Sequence, residues 1–223
     1  YIMIIDKEFY NRSAIDVAND LLGKVLVREV DGRILKGKIV ETEAYTGVND
    51  KAAHVYGGRK TERVLPMYGR AGTSYVYRIY GMYNCLNAIT EREGEPQGVL
   101  IRAIEPLIGL DYIANMRYKK NFSELDKKQK LNLTSGPSKL CMALNIDKRL
   151  NNRLLFEGDL FICDLDDELK ALFQVEEEKT GYIIKSKRIG IDYAEEAKDF
   201  LYRFYYNDNP YVSKKDKNGI KLY

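Results

Sequence analysis

The amino-acid sequence predicts a single domain of the α+β class. Five strand-like segments follow one another in the first half of the chain, and helical patterns are few. The chain has 223 residues, of which 45% are hydrophobic, so it can bury one sizeable core. No internal repeat or low-complexity linker marks a boundary between two domains. We therefore expect one domain over residues 1–206 and a partly ordered polar tail over residues 207–223.

The first element is an amphipathic helix. Ser13 can accept hydrogen bonds from the first turn of a helix that runs through AIDVANDLL, and Gly23 supplies a stop. Strands follow, because the next runs are rich in β-branched and aromatic residues and are bounded by turn residues. These runs are KVLVREV, ILKGKIVETEAY, TSYVYRIY, YNCLNAIT and GVLIRAIEP.

The third and fourth strands predict a hairpin. Gly81 and Met82 fit a two-residue turn, because glycine at the first central position suits the II′ geometry. Such a turn would pair Tyr80 with Tyr83 at the hairpin tip. It would also place Tyr77 and Asn87 on opposite faces of the hairpin.

The second half of the chain predicts helices, a charged loop and two closing strands. A helix is expected from Pro106 to Tyr118, followed by a charged surface loop over residues 119–132. A second helix is expected in TSGPSKLCMALN, with Pro137 in its first turn. An acidic, peripheral stretch then precedes the strand-like segments GYIIKSKRIGI and FLYRFYYNDNPYVS.

Composition narrows the function classes. A net charge of +3 is only mildly basic, so it is compatible with a nucleic-acid partner but does not demand one. Three widely spaced cysteines without a CxxC pair favour neither a disulfide framework nor a zinc site, and we expect neither metal nor cofactor. No apolar run approaches the ~20 residues that span a bilayer. We expect a soluble, cytosolic protein.

The segment ETEAY is the first candidate for chemistry. Side chains alternate along a strand, so Glu41, Glu43 and Tyr45 share one face. His54, the only histidine in the chain, follows nine residues after Tyr45. A solvated strand face and a structural histidine are the commoner explanations of such residues. Likewise, the tyrosines at the hairpin tip could enter a base stack, or could simply form a stabilising cross-strand pair.

Several blocks resemble one enzyme family. ETEAY, AAHVYGGRKTER, YVYRIYGMYNCLN, VLIRAIEP and LTSGPSKLCMAL occur in the order and spacing of the alkyladenine (3-methyladenine, methylpurine) DNA glycosylases. The likeness extends over nearly the whole chain, as far as RIGIDYAEEAKDFLYRFY. The resemblance implies a curved, mostly antiparallel sheet surrounded by helices. It also implies an enzyme that flips a damaged purine out of DNA and cuts the bond between base and sugar.

The resemblance assigns catalytic roles. Glu43 corresponds to the general base that activates water, and Arg102 to the arginine that positions this water. The backbone near Ile191 is expected to complete the water site, while Glu41 is left with a structural role. No lysine matches a Schiff-base nucleophile, so the resemblance implies a monofunctional glycosylase that leaves an abasic site.

The resemblance also implies a base pocket. Tyr45 and Tyr77 correspond to the two stacking walls, and His54 to a hydrogen-bonding residue at the pocket edge. Asn87 corresponds to a residue that crowds the 2-amino group of guanine, and Leu100 is expected to line the same pocket. Because a two-residue hairpin turn would separate Tyr77 from Asn87, a bulge or twist is expected.

DNA contacts are implied for a further set of residues. Tyr80 corresponds to the wedge that fills the gap in the base stack, with Met67 and Tyr83 as helpers. Phosphate contacts are expected from Arg59, Arg63 and Lys139. Val64 stands where the family often has asparagine, so a polar contact beside Arg63 is missing.

The expected substrates are duplex DNA carrying 3-methyladenine, 7-methylguanine, hypoxanthine or ethenoadenine, bound by a monomer. The expected location is a bacterial cytoplasm, with the nucleoid, or a nucleus if the source is eukaryotic. Two other classes remain open. A non-catalytic nucleic-acid-binding module would have no use for Glu43, and a metal hydrolase built on Glu41, Glu43 and His54 lacks a second histidine.

Overall fold

The structure is a computed structural model that describes residues 3–172 and 181–222. Within these residues, nine strands form one sheet, and every strand pair is antiparallel. The strands are β1 (Val25–Val30), β2 (Arg33–Tyr45), β3 (Ser74–Ile79), β4 (Tyr83–Thr90), β5 (Gln97–Ile108), β6 (Leu160–Cys163), β7 (Ile183–Ser186), β8 (Arg203–Tyr206) and β9 (Ile220–Leu222). The α-helices are α1 (Lys7–Tyr10), α2 (Ala14–Asp20), α3 (Leu110–Tyr118), α4 (Lys127–Leu131), α5 (Pro137–Ala143) and α6 (Asp167–Leu172).

Helices cover the central strands of this sheet, so the α+β prediction is confirmed. The main strand order is β3-β4-β5-β2-β8-β7-β9, and β1 pairs with β2 and β6. Helix α2 packs against β2 and β5, whereas α5 packs against β4 and β5. The hydrophobic core therefore lies beneath β2 and β5. No helix in the described part of the chain has the length and apolar character needed to cross a membrane.

Three irregularities interrupt the pairing of β2 with β5: Leu107 is an extra residue in β5 near its end, and two successive bulges lie beside Glu41. Ile39 pairs with Ile104 and Glu41 pairs with Ala103, so Val40 is an extra residue in β2. Thr42 then pairs with Ile101, so Arg102 is an extra residue in β5. The second bulge cancels the shift made by the first, and it re-aims the side chain of Arg102.

The prediction of a two-residue turn at the β3–β4 hairpin was wrong. Ile79 pairs with Tyr83, so three residues, Tyr80 to Met82, form the loop. Tyr80 and Gly81 both have positive φ, 50° and 72°, and the Met82 amide donates to the Ile79 carbonyl at 3.2 Å. Positive φ at both central positions is the I′ geometry, displaced by one residue from the expected turn.

This displacement changes which side chains share a face of the hairpin. Tyr77 pairs with Cys85 and Tyr75 pairs with Asn87, so all four side chains point to one face. The predicted register put Tyr77 and Asn87 on opposite faces, whereas the observed register puts them on the same face. No bulge is present within the paired residues of β3 and β4.

Two further predictions in the second half were wrong. Pro106 lies inside β5, which continues to Ile108, and the next helix begins only after Gly109, whose φ is 82°. The charged segment 119–132 contains α4, whose first turn is closed by reciprocal hydrogen bonds between Asp126 and Gln129. The acidic stretch begins with α6, and its residues 173–180 lie outside the described part of the chain.

The helix capped by Ser13 and the helix beginning at Pro137 are confirmed. Beyond residue 206 the chain adds β9, which pairs with β7, and Ser213, which binds Glu41. The segment after the expected domain boundary is therefore part of the sheet and of its polar core. The boundary at residue 206 stays a prediction.

Candidate active site

A cavity of about 250 Å³ opens beside the β3–β4 hairpin. Strands β2, β3, β4 and β5 form its floor, and the segment after β7 closes one side. The predicted residues that line it are Tyr45, His54, Met67, Tyr77, Tyr80, Asn87, Leu100, Arg102 and Ile191. Residues that line it without having been predicted include Tyr75, Cys85, Pro137, Ile189, Gly190 and Tyr193.

Glu43 is fully buried and does not itself line this cavity, but its carboxylate contacts residues that do. Its Oε1 accepts a hydrogen bond of 2.7 Å from the backbone amide of Ile189. Its Oε2 accepts a hydrogen bond of 2.8 Å from the Tyr45 hydroxyl. Arg102 Nη1 lies 3.4 Å from Oε1. Three groups thus fix the carboxylate, and all three belong to residues that line the cavity.

Glu41 is bound more completely than Glu43. Arg102 Nε and Arg203 Nη1 each lie 3.0 Å from its Oε1. Ser213 donates its hydroxyl to Oε1 at 2.9 Å and its amide to Oε2 at 2.7 Å. Such saturation leaves little capacity to take a proton from water. The contacts therefore support a structural role for Glu41, as the sequence suggested.

Arg102 links the two carboxylates. It stands at the bulge in β5, is 7% exposed and lines the cavity. Burial lowers the pKa of its guanidinium, but the negative charges of Glu43 and Glu41 raise it by more, so the net pKa lies above its ordinary value. A permanent cation consequently contacts Glu43 and lines the cavity.

The floor of the cavity is one row of paired residues across four strands. Glu43 on β2 pairs with Leu100 on β5, Leu100 pairs with Asn87 on β4, and Asn87 pairs with Tyr75 on β3. Asn87 also donates its side-chain amide to the Tyr75 carbonyl at 3.1 Å. Paired residues share a face of the sheet, so Glu43 lies on the same face as Leu100, Asn87 and Tyr75, which line the cavity.

Aromatic side chains form the walls. The His54 and Tyr77 rings meet edge to face with centroids 4.6 Å apart, and His54 Nδ1 lies 3.0 Å from the Tyr75 hydroxyl. Burial, followed by the charges of Arg63 and Arg59, lowers the pKa of His54 to about 4. The imidazole is therefore neutral at neutral pH and can act as a hydrogen-bonding group rather than as a cation.

The hairpin tip carries the most exposed aromatic residue of the site. Tyr80 is 88% exposed, Met82 is 66% exposed and Tyr83 is 37% exposed. Met67 does not join this tip: it is 4% exposed and packs with Val64 and Tyr75 at the cavity wall. Sequence reasoning missed Met82, although its place in the loop between Tyr80 and Tyr83 was a usable signal.

The predicted phosphate contacts lie in different settings. Arg59 is exposed, and Arg63 is exposed but donates to the Arg78 carbonyl at 3.2 Å and lies over the Tyr77 ring. Lys139 is partly buried and donates to Asn132. Burial and the charge of Arg117 lower the pKa of Lys139. The two arginines are thus more available to DNA than the lysine.

The segment after β7 supplies contacts that sequence reasoning missed. Ile191 is buried and lines the cavity, but the amide that binds Glu43 belongs to Ile189. Arg188 forms a bidentate ion pair with Asp50, at 2.6 and 2.9 Å, and lies over the Tyr45 ring. No local pattern indicates these contacts, because the partners are 138 to 146 residues apart in sequence.

Among the residues that the structure describes, no group of three or more His, Cys, Asp or Glu side chains is arranged to hold a metal ion. The constellation of Glu41, Glu43 and His54 therefore finds no support as a metal centre. His54 hydrogen-bonds to Tyr75, and Glu41 is saturated by arginines and Ser213.

Comparisons with known proteins agree with this geometry. Residues 8–210 match the methylpurine-DNA glycosylase family. A Clostridium tetani protein is 60% identical over 214 residues, and a Clostridium botulinum protein is 54% identical over 214 residues. Each alignment covers 96% of this chain and 100% of the relative, and each relative is named as an inferred 3-methyladenine DNA glycosylase. The chain therefore belongs to the methylpurine-DNA glycosylase family and is a DNA N-glycosylase.

Proposed function

We propose that the protein flips alkylated or deaminated purines out of duplex DNA and hydrolyses their N-glycosidic bond with Glu43 as the general base. The observation that carries this proposal is the position of Glu43: a buried carboxylate held by Ile189 and Tyr45, two residues that line an aromatic cavity. A purine fits between aromatic walls of this kind by stacking.

The reaction balances with these groups. Water adds its oxygen to C1′ of the sugar and transfers a proton to Glu43, while the electron pair of the C1′–N bond leaves with the base. Glu43 also stabilises the positive charge that develops on the sugar in the transition state. A role for Arg102 in orienting the water is supported by its guanidinium, which lies beside Glu43 and lines the cavity.

The expected reaction stops at an abasic site. A lyase would need an amine nucleophile at the sugar, and no lysine is found among the described residues that line the cavity. A neutral leaving base, such as hypoxanthine, departs with the bonding electron pair as an anion and takes a proton from solvent, while Glu43 returns its proton to solvent. His54 is not assigned to this step, because its pKa of about 4 leaves it without a proton to give at neutral pH.

Flipping is assigned to the hairpin tip. Tyr80 stands almost free in solvent at the mouth of the cavity, where it can occupy the gap left by the extruded nucleotide. Stacking of the flipped base on Tyr45 and Tyr77, at ~1–3 kcal/mol per aromatic contact, offsets the few kcal/mol lost on unstacking. Damaged bases that stack poorly cost least to extrude and are favoured for that reason.

The proposed substrates are 3-methyladenine, 7-methylguanine, hypoxanthine and ethenoadenine in duplex DNA, bound by a monomer. Asn87 supports selection against unmodified guanine, because its side chain projects from the floor beside Leu100. An exocyclic amino group at that edge of a base would meet an amide already fixed to the Tyr75 carbonyl.

Release of free base tests the proposal. Duplexes with a single hypoxanthine or 3-methyladenine are incubated with wild type and with Glu43→Gln, and the free base is measured by chromatography. The wild type should release the base and leave DNA that breaks only after alkali, whereas Glu43→Gln should release none. A nick without alkali, or a covalent adduct trapped by borohydride, would contradict the monofunctional mechanism.

The same pair of proteins distinguishes a non-catalytic binding module. Such a module would bind damaged and undamaged duplexes without base release in either protein. Activity that persists in EDTA would separate the proposed mechanism from a metal-dependent hydrolase.

A further inference from the structure

Arg188 is a buried cation against one wall of the proposed base pocket. Its side chain is fully buried, and the guanidinium carbon lies 4.8 Å from the centroid of the Tyr45 ring. Arg188 itself does not line the cavity, whereas Tyr45 does. One face of the Tyr45 ring is thus covered by the guanidinium, and a base in the cavity can reach only the other face or the edge.

The position of this guanidinium is strongly fixed. Asp50 binds it through both carboxylate oxygens, and the carbonyls of Ala44 and Ala197 accept further hydrogen bonds at 2.9 and 3.1 Å. Asp50 is fixed in turn by the amides of Thr46 and Ala52. The ion pair is neutral as a whole, but its positive member is the one that lies against the ring.

The segment of Arg188 and Ile189 is linked to Glu43 in two ways, directly through Ile189 and indirectly through Tyr45. Ile189, the next residue, donates its amide to Glu43 Oε1, and Tyr45, held by Arg188, donates its hydroxyl to Oε2. Arg188 therefore acts on the cavity only through other residues. It is a positioning residue for the Tyr45 ring and, through that ring, for the Glu43 carboxylate.

The charge of Arg188 has a consequence for the stacked base. The face of an aromatic ring is electron-rich and attracts a cation. A guanidinium on one face polarises the ring toward itself, so a second cation on the opposite face is attracted less. The two cations also repel each other across the ring, where the local dielectric is low. A neutral purine is not subject to this repulsion.

We propose that Arg188 makes the Tyr45 wall selective for neutral lesions, such as hypoxanthine and ethenoadenine, over cationic lesions, such as 7-methylguanine and 3-methyladenine nucleotides. This inference rests on the proposed function, because it takes Tyr45 as a stacking wall. The discrimination lies in binding: the repulsion acts on the cationic base when it enters the cavity, and so raises KM for that base.

The test compares kcat/KM on duplexes that carry hypoxanthine or 7-methylguanine, corrected for release without enzyme. Arg188→Gln removes the charge. Arg188→Gln with Asp50→Asn removes it without leaving an unpaired buried carboxylate. Arg188→Lys restores a positive charge without the planar fork. Arg28→Gln is the matched control, because Arg28 is equally buried but pairs with Asp159, away from the cavity.

We expect the ratio of hypoxanthine to 7-methylguanine kcat/KM to fall about five- to tenfold in both charge-removing proteins, through KM for 7-methylguanine. It should return toward the wild-type ratio in Arg188→Lys and stay unchanged in Arg28→Gln. Equal losses on both lesions, or an unchanged ratio, would overturn the inference and leave Arg188 a purely structural residue.

Two outcomes separate this inference from the proposed function. If the wild type releases neither base, the proposed function itself fails. If the charge-removing proteins do not fold, inhibition of the wild type by free nucleosides replaces them: adenosine should inhibit more strongly than the cation 1-methyladenosine. Equal inhibition by the two nucleosides would reject the selectivity.

Discussion

The backbone amide of Ile189 and the carboxylate of Glu43 are joined by a hydrogen bond of 2.7 Å. This bond connects the segment after β7 to the middle of β2, across 146 residues of sequence. It orients one oxygen of the carboxylate, while Tyr45 orients the other. The candidate base is thereby distinguished from Glu41, whose oxygens are occupied by two arginines and Ser213.

Replacing Glu43 by Gln should abolish turnover without abolishing binding. Loss of a general base lowers the rate by about 10²- to 10⁴-fold, because water is no longer activated. Affinity for a hypoxanthine duplex, measured by fluorescence anisotropy, should stay within about threefold of wild type, a change of less than 1 kcal/mol. A variant with near wild-type turnover would remove Glu43 from the mechanism.

Replacing Glu41 by Ala should instead destabilise the fold. The change removes the carboxylate that pairs with buried Arg203 and leaves Arg102 to pair with Glu43 alone, which costs about 3–5 kcal/mol. Urea unfolding measures the loss. Glu95→Ala is the control: its ion pair with Arg92 is exposed, so it should change the free energy of unfolding by less than about 1 kcal/mol.

Replacing Tyr80 by Ala should reduce excision and leave stability unchanged. The side chain is 88% exposed, so its loss should alter the free energy of unfolding by no more than about 0.5 kcal/mol. Base release from duplex DNA should fall about tenfold or more, because the gap in the stack is no longer filled. Tyr80→Phe keeps the ring and should retain most of the rate; equal loss in both variants would argue against a wedge.

Replacing Asn87 by Ala should relax the rejection of guanine. The smaller side chain opens the cavity floor beside Leu100 and removes the amide bound to the Tyr75 carbonyl. The measurement is the ratio of guanine release to hypoxanthine release, which should rise. If the two rates change by the same factor, Asn87 does not set this selectivity.

The stability of the protein should depend on His54 between about pH 4 and 6.5. Burial and two nearby arginines lower the pKa of His54 in the folded protein from 6.5 to about 4, so the unfolded chain binds a proton first as the pH falls. The contribution, up to about 3 kcal/mol, is present above pH 6.5 and is lost as the pH falls through 4.

Urea unfolding of wild type and His54→Asn at pH 5 and pH 7 checks this dependence. The stability difference between the two pH values should be smaller in the variant, because asparagine does not titrate. An identical difference in both proteins would show that other groups govern the acid side of the profile.

Local patterns predicted most elements correctly, because strand alternation and helix capping depend on neighbouring residues. The five strand segments of the first half appear as β1 to β5, and Ser13 caps α2 through its side chain. The predicted position of the hairpin turn was wrong by one residue. A tyrosine with positive φ is uncommon, and the glycine alone did not define the turn. Pro106 was misread as a helix start, although its neighbours continue β5.

Part of the candidate site could be predicted only through the family resemblance, and part could not be predicted at all. The alternation in ETEAY placed Glu41 and Glu43 together but could not tell them apart. Their difference depends on Arg203, Ser213 and Ile189, which the fold brings from the far end of the chain. The pairing of Arg188 with Asp50 likewise has no local sequence signal.

The row of residues from Glu43 through Leu100 to Asn87 fixes a backbone distance across the candidate site. Neighbouring strands lie about 4.8 Å apart in any sheet, so two strand spacings set about 10 Å between the backbones of Glu43 and Asn87. That interval is a constant of the peptide backbone, and no change in a surrounding loop can stretch it. A descendant of this enzyme that accepts a bulkier base must therefore shorten a side chain along the row, rather than widen the sheet.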